Sequence, residues 1–301
     1  MVAAAAIAFA TDEAFAPLAK GLVLSIIDRI HSGISLCLVD IGCSSSTIEW
    51  MRRQGVTITT FDRKSFLPIK SGSTIRQYQN AQLCRPFLPA LFPGHEIYLW
   101  CDSDLWIQHT ESIELYCNLA NDYRNKIPIA PLVDSSYKFH YEDGKEFMRY
   151  AKIWFAGCYG AVMGQTYCDK AILSSGMFAL HRDNPLWKLW GKEIGHIFSK
   201  GLSSHDIAHL AEQTALSYLA YSTGAFIPIE AIHNYNCHVG CAARRNGRVV
   251  IDIPPYREIG VVHLTYSSKR MSEYIKSGLL YQMGNYLAAS EIASLSLVTH
   301  Y

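Results

Sequence analysis

The 301-residue sequence has no apolar run long enough to cross a bilayer, no cluster of Lys and Arg, and no internal repeat. A membrane-spanning helix needs about 20 consecutive apolar residues, so any membrane association is expected to be peripheral. A nucleic-acid footprint would show as clustered basic side chains. With a formal net charge of +1 and no such cluster, no nucleic-acid partner is expected. A disulfide framework is missing as a pattern too. Nine cysteines, an odd number, are scattered through core-like segments and read as the reduced thiols of a cytoplasmic protein. The apolar N-terminus, Met1 to Ala10, lacks a basic start and runs straight into Thr11-Asp12, so it reads as a first buried strand rather than a signal peptide.

What is present is apolar material in short runs. Hydrophobic residues make up 50% of the chain and charged residues 18%, which fits one large globular domain or two intimate halves sharing a core. The first half alternates strand-like and amphipathic segments: Ala4 to Ala10, then Leu18, Leu22, Ile26 and Ile30 at helical spacing, then Ile34 to Val39. A helical Ser46 to Gln54, a strand at Val56 to Phe61, a helical, proline-rich Gln79 to Leu91 and a strand at Ile97 to Cys101 follow. That alternation predicts a parallel sheet wrapped by helices, a nucleotide-binding α/β half. The second half is less regular. Asp134 to Tyr150 reads as a long surface excursion, a lid or acceptor loop. Ser175 to Leu180 reads as a strand, Pro185 opens a helix whose Trp187 and Trp190 belong in the core, His205 to Tyr221 is a further helix, and Ile259 to His263 is a last strand.

Chemistry concentrates at Asp102-Ser103-Asp104, between the apolar runs Ile97 to Cys101 and Leu105 to Ile107. Two carboxylates two residues apart at the mouth of a buried strand suit a hard divalent cation carrying a diphosphate. Ligands of open α/β sheets bind at the carboxyl ends of the strands. Thr11-Asp12 and Asp102-Ser103-Asp104 both fall at such ends, so two acidic strand ends can converge on one ligand.

Taken in order, Thr11-Asp12-Glu13-Ala14-Phe15, Arg85, Asp102-Ser103-Asp104, Ser174-Ser175-Gly176, Glu212-Gln213, Asn236, and His263 with Lys269 six residues on resemble glycosyltransferase family 8. These are retaining nucleotide-sugar transferases of GT-A fold that use UDP-sugars and manganese. The resemblance spans roughly residues 4 to 270. It implies a GT-A, Rossmann-like, mostly parallel sheet flanked by helices, with a smaller irregular acceptor-side half. As a division of the chain it implies one domain over 1–301, with a nucleotide-binding half (1–110), an acceptor and sugar half (111–270) and a C-terminal helical tail (271–301).

The resemblance also implies roles. Asp102, Asp104 and His263 would hold Mn2+ or Mg2+; a neutral imidazole beside two carboxylates suits manganese better than magnesium. Lys269 would contact the donor phosphates, and Arg85 would bridge the donor and the first carboxylate. Asp12 would support the base and Phe15 would stack on it. Glu212 would meet donor-sugar hydroxyls and Gln213 would lie under the anomeric carbon, the two forming the catalytic pair. Departures are visible at Ala14, where the family has Asn, at Ser174, and at Tyr266, Arg270 and Met271 in the loop before and after Lys269. The implied activity is transfer of a hexose from a nucleotide diphosphate, UDP by resemblance, to a hydroxyl of a glycan, glycolipid or other acceptor, with retention.

Other readings compete. Asp-x-Asp after a strand also opens phosphatases of the haloacid dehalogenase type, and a transferase with substituted motifs could bind a nucleotide sugar without turnover. His205-Asp206-Ile207-Ala208-His209 puts two imidazoles on one helical face, as in zinc hydrolases, but carries Asp where that chemistry needs Glu. Cys237-His238-Val239-Gly240-Cys241 looks like half of a zinc site, yet no second pair lies at a matching distance.

Overall fold

The apolar runs pair edge to edge into one seven-stranded sheet, in the order Thr57–Thr60, Ile34–Asp40, Ala5–Thr11, Ile97–Cys101, Leu173–His181, Ile127–Pro131 and Phe226–Pro228, in the computed structural model of the chain. It describes residues 4–30, 33–67, 75–132, 141–200, 202, 205–237 and 242–264, with the backbone alone for 141–148 and 205–209. In chain order the elements are β1 (Ala5–Thr11), α1 (Ala16–Ile27), β2 (Ile34–Asp40), α2 (Ser45–Arg53), β3 (Thr57–Thr60) and the short α3 (Arg63–Phe66), α4 (Asn80–Leu83) and α5 (Leu88–Leu91). Then come β4 (Ile97–Cys101), β5 (Leu105–Ile107), α6 (Thr110–Asp122), β6 (Ile127–Pro131), α7 (Tyr141–Tyr159), α8 (Ala161–Thr166) and β7 (Leu173–His181). The chain continues through α9 (Leu186–Ser199), α10 (His205–Thr223), β8 (Phe226–Pro228), β9 (Tyr235–Asn236), the hairpin β10 (Ala242–Arg245) and β11 (Arg248–Ile251), and β12 (Val261–His263).

Only β7 runs against its neighbours in the large sheet; the other pairings are parallel. Strand β1 shows why the sheet is closed on both sides. All seven of its residues are buried, and side chains alternate between faces. Ala6, Ala8 and Ala10 join the core beneath α9 and α10, where Trp187 and Trp190 also lie as expected. Ala5, Ile7 and Phe9 join the core beneath α1 and α6. Burial on both faces is the condition under which strands read as continuous apolar runs rather than alternating ones. The mixed α/β layering, with a mostly parallel central sheet flanked by helices, is the GT-A architecture expected.

Two local expectations are corrected. Residues 141–150 belong to α7, not to a loop; 134–140 of the expected excursion lie outside the described residues. The apolar stripe of α7, Ala151, Trp154, Phe155 and Cys158, has helical spacing but falls in its second half, behind a polar start that hides the period. The expected helix Gln79 to Leu91 is a chain of short pieces: a 3-10 turn at Gln77–Gln79, α4, a second 3-10 turn at Arg85–Phe87, and α5. Pro86 and Pro89 each remove an amide donor and crowd the preceding turn, so no continuous helix can run through them. Helix α6, strands β6 and β8 and the β10–β11 hairpin were not anticipated. Through β6, β7 and β8 the second half extends the same sheet. No described helix is long and apolar enough to cross a membrane, and none of the eight cysteines among the described residues is paired.

Candidate active site at the carboxyl edge of the sheet

Strands β1 and β4 are parallel neighbours, Ala8 facing Trp100, so Thr11-Asp12 and Asp102-Ser103-Asp104 leave the same edge. Beyond Cys101 the chain turns: the Leu105 amide donates to the Asp102 carbonyl at 3.1 Å, and β5 departs to join a small second sheet. There β12 pairs antiparallel with β5, placing His263 opposite Leu105, and the Leu264 amide donates to the Asp104 carbonyl at 3.1 Å. Strand pairing thus carries His263 to the aspartates. Its Nε2 stands 3.4 Å from Asp104 Oδ1 and 3.9 Å from Asp102 Oδ2.

One ligand atom from each of the three side chains can be chosen so that all lie within 4.8 Å of one another, and this is the one such group found among the described residues. Two donors on a common ion stand at most twice a bond length apart, about 4.2 Å for the ~2.1 Å bonds of a small divalent cation. The two separations from His263 fall inside that limit. Gly176 leaves the room: a Cβ there would collide with Cε1 of His263 and lie 2.9 Å from Asp102 Oδ2. A mixed set of two carboxylates and one imidazole suits Mn2+ or a similar ion.

Behind this cluster lies a buried charge network. Arg85 is 4% exposed, with its guanidinium over the Trp100 ring. One arm donates to Asp102 Oδ1 at 2.5 Å; the other donates to Glu212 Oε2 at 2.7 Å and Ser175 Oγ at 2.6 Å. Trp100 Nε1 also donates to Asp102 Oδ1, at 2.7 Å, which leaves Oδ2 as the oxygen turned to His263. Ser175 Oγ lies 3.1 Å from Glu212 Oε2 and 3.2 Å from Gln213 Oε1, and the Ser175 amide donates to Gln213 Oε1 at 3.2 Å.

Burial pushes the Glu212 carboxyl up, against the pull of Arg85, to about 7. Burial likewise raises Asp102, opposed by Arg85 and reinforced by Asp104. For Arg85 burial works against the charge, but Asp102 and Glu212 outweigh it and hold the guanidinium above its ordinary value. Two atoms of the network, Glu212 Oε1 and Arg85 Nε, are buried with no hydrogen-bond partner among the described residues. Unsatisfied buried polar atoms are rare in folded proteins and call for an explanation such as a ligand.

The structure therefore brings together Arg85, Asp102, Asp104, Glu212, Gln213 and His263. Asp12 sits on the adjoining strand end, where its Oδ1 accepts the amide of Phe15, the residue just before α1, at 3.0 Å. The Phe15 ring is half-buried and packs on the cluster around Trp106 and Tyr235. Lys269, with Tyr266, Arg270 and Met271, lies outside the described residues, as do His238 to Cys241 and the tail from 271. Side chains of His205 and His209 are also outside them, and Cys237 is a buried thiol that burial raises to about 12.

Several participants had gone unassigned. Trp100 and Ser175 complete the Arg85 network, and Gly176 was only a motif letter. Asn234 touches the histidine: its Oδ1 is 2.8 Å from His263 Nδ1. Asn236 lies opposite His263 in the parallel register of β9 and β12. Glu13 ties the β1 loop to α2, its carboxylate accepting the Ser44 amide at 2.6 Å and the Thr47 hydroxyl at 3.2 Å. A spacing argument had no means of finding Asn234, because its partner is 29 positions away.

No protein family matches the chain by its sequence pattern, and no curated protein matches it in sequence. Solved structures do. The chain superposes on WbbM, a bifunctional glycosyltransferase in its apo form, with a TM-score of 0.61 at 13% identity, over 99% of this chain and 52% of that one. It thus spans about half the length of WbbM. It superposes on an active-site mutant of LgtC with a TM-score of 0.56 at 14% identity, over 94% of this chain and 96% of that one. A further match is GlyE of Streptococcus pneumoniae TIGR4, with a TM-score of 0.52 at 15% identity, over 98% of this chain and 64% of that one. LgtC is described as a galactosyltransferase crystallised with donor and acceptor sugar analogs. At these identities the likeness is one of fold: the chain has the fold of GT-A glycosyltransferases.

Proposed function

We propose that this chain transfers a sugar from a nucleotide diphosphate donor, a UDP-hexose by its resemblance to family 8, to a hydroxyl acceptor with retention, assisted by a divalent metal. The observation that carries this reading is the meeting of Asp102, Asp104 and His263 at the carboxyl edge of a GT-A sheet, directly in front of the buried Arg85, Glu212 and Gln213.

Bound Mn2+, or Mg2+ in its place, would neutralise charge on the leaving diphosphate. The protein's own groups do the rest. Arg85 holds Asp102 by its Oδ1 and so orients the carboxylate. The unpartnered Glu212 Oε1 is a buried acceptor for a donor-sugar hydroxyl, and Gln213, anchored through Ser175, is the neutral dipole assigned to the anomeric carbon. Asp12 and Phe15 are assigned to the base, Lys269 to the donor phosphates. No strong nucleophile is required, since a leaving phosphate oxygen can take the acceptor's proton on the same face. The division into halves at 1–110 and 111–270 with a tail at 271–301, and a cytoplasmic setting supported by eight unpaired described thiols, belong to the same reading.

The test is a screen of nucleotide sugars for manganese-dependent donor hydrolysis, with calorimetry of UDP and manganese alongside. Hydrolysis of one donor in the wild type and its loss in Asp104→Ala are expected. Undiminished metal-dependent turnover in that variant would defeat the assignment. Binding of UDP and manganese without any hydrolysis would favour the non-catalytic reading, and turnover of a generic phosphate ester without a nucleotide sugar would favour the phosphatase.

A further inference from the structure

We propose that Asn234 is a positioning residue that fixes the tautomer of His263, so that the ring presents an unprotonated Nε2 to the space between Asp102 and Asp104. The proposal deepens the metal reading above and rests on it only for its consequence, not for the tautomer itself.

Asn234 ends a short 3-10 turn (Ala231–Asn234) just before β9 and is 1% exposed. Its amide is held at both ends. The Nδ2 group donates to Ser174 Oγ at 3.0 Å, and Oδ1 lies 2.8 Å from His263 Nδ1. A carboxamide has one donor end and one acceptor end. As the amide is placed, Nδ2 faces the Ser174 hydroxyl and Oδ1 faces the ring, and a ring nitrogen that faces an acceptor carries the proton. In a neutral imidazole that leaves Nε2 with its lone pair, aimed at the two acids.

The alternative tautomer has a structural consequence. An Nε2–H directed at Asp104 Oδ1, 3.4 Å away, would join histidine and carboxylate directly and close the site to a cation. Asn234 therefore chooses between an open ligand set and a closed His–Asp pair. Strand β7 serves this choice twice: Ser174 anchors the amide, and Gly176, two residues on, leaves the space in which the ring stands. Metal-ligating histidines generally hand their other N–H to such a partner, and loss of it costs about 10–100-fold in metal affinity.

The experiment uses the full chain labelled with 15N-histidine. Long-range 1H–15N correlation in the metal-free protein reads the tautomer of each ring, and His263→Gln identifies the signal. The expected wild-type result is an Nδ1–H ring at His263; an Nε2–H ring overturns the proposal without any variant having to fold. In Asn234→Ala the ring is expected to change to Nε2–H, and Mn2+ affinity measured by calorimetry to weaken about 10–100-fold. Asn234→Asp, which keeps an acceptor, is expected to retain Nδ1–H and most of the affinity. An unchanged tautomer with Mn2+ affinity within about twofold of wild type in Asn234→Ala also overturns it. A wild type with the Nδ1–H ring that takes up no Mn2+ sinks the metal reading and upholds the tautomer assignment.

Discussion

Gly176 stands against His263 so closely that no side chain fits between them: an added Cβ would strike the ring at Cε1 and lie 2.9 Å from Asp102 Oδ2. Backbone holds Gly176 in turn, since its carbonyl accepts the Asp102 amide at 2.8 Å. Gly176→Ala is therefore expected to push the imidazole off the aspartates. Manganese affinity should fall at least about tenfold, a loss of ~1.4 kcal/mol, with a stability loss of about 1–3 kcal/mol for overpacking. Calorimetric metal titration beside urea unfolding reads both; metal affinity equal to wild type would show that the ring does not need this space.

Arg85, itself buried, is the common counter-charge of the buried Glu212 and the partly buried Asp102. Removing one partner of a buried ion pair costs about 3–5 kcal/mol, because it strands the other. Arg85→Met should lower the unfolding free energy by that amount, seen as a lower urea midpoint with little change in slope. Arg85→Lys should recover only part of it, since an ammonium cannot reproduce a fork that reaches Asp102 with one arm and Glu212 and Ser175 with the other. A methionine variant as stable as wild type would refute the network's role.

Glu212 gives a pH dependence of definite sign. Its carboxyl stands at about 7 in the folded chain against an ordinary 4.5, so between those values the folded state holds more proton than the unfolded one. The unfolding free energy therefore falls as pH rises through that window. This group's share should be on the order of 1–3 kcal/mol, present at pH 4.5 and lost by about pH 8. Chemical denaturation at several pH values, comparing wild type with Glu212→Gln, isolates it, because Asp102 contributes in both. A difference that does not change with pH would contradict the raised carboxyl.

The first half of the fold was legible because its signals are local. A parallel strand buried on both faces reads as an apolar run, and β1, β2 and β4 do so, with helices marked by the period of Leu18, Leu22 and Ile26 between the first two. Where local signals conflict, the reading failed. Proline broke the helix expected over Gln79 to Leu91, and the polar opening of α7 masked a helix whose buried stripe starts only at Ala151.

The candidate site divides along the same line. Asp102 and Asp104 are neighbours in the chain, so their pairing is written in the order of residues. Arg85 and Glu212 meet across 127 positions and His263 and Asn234 across 29, and nothing in their own segments marks either contact. Family likeness pointed to Arg85, Glu212 and His263, while Asn234 and Trp100 had no such pointer.

The order of residues by itself determined where apolar strands end and which ends carry acid, because a strand's burial and its terminal side chains are properties of a few consecutive residues. Tertiary structure decided which nitrogen of His263 faces Asp102 and Asp104, and that Arg85 is shared between Asp102 and Glu212. Those outcomes depend on β12 pairing with β5, on β7 lying against β4 and on α10 packing over them, and such long-range pairings are settled by the whole core together.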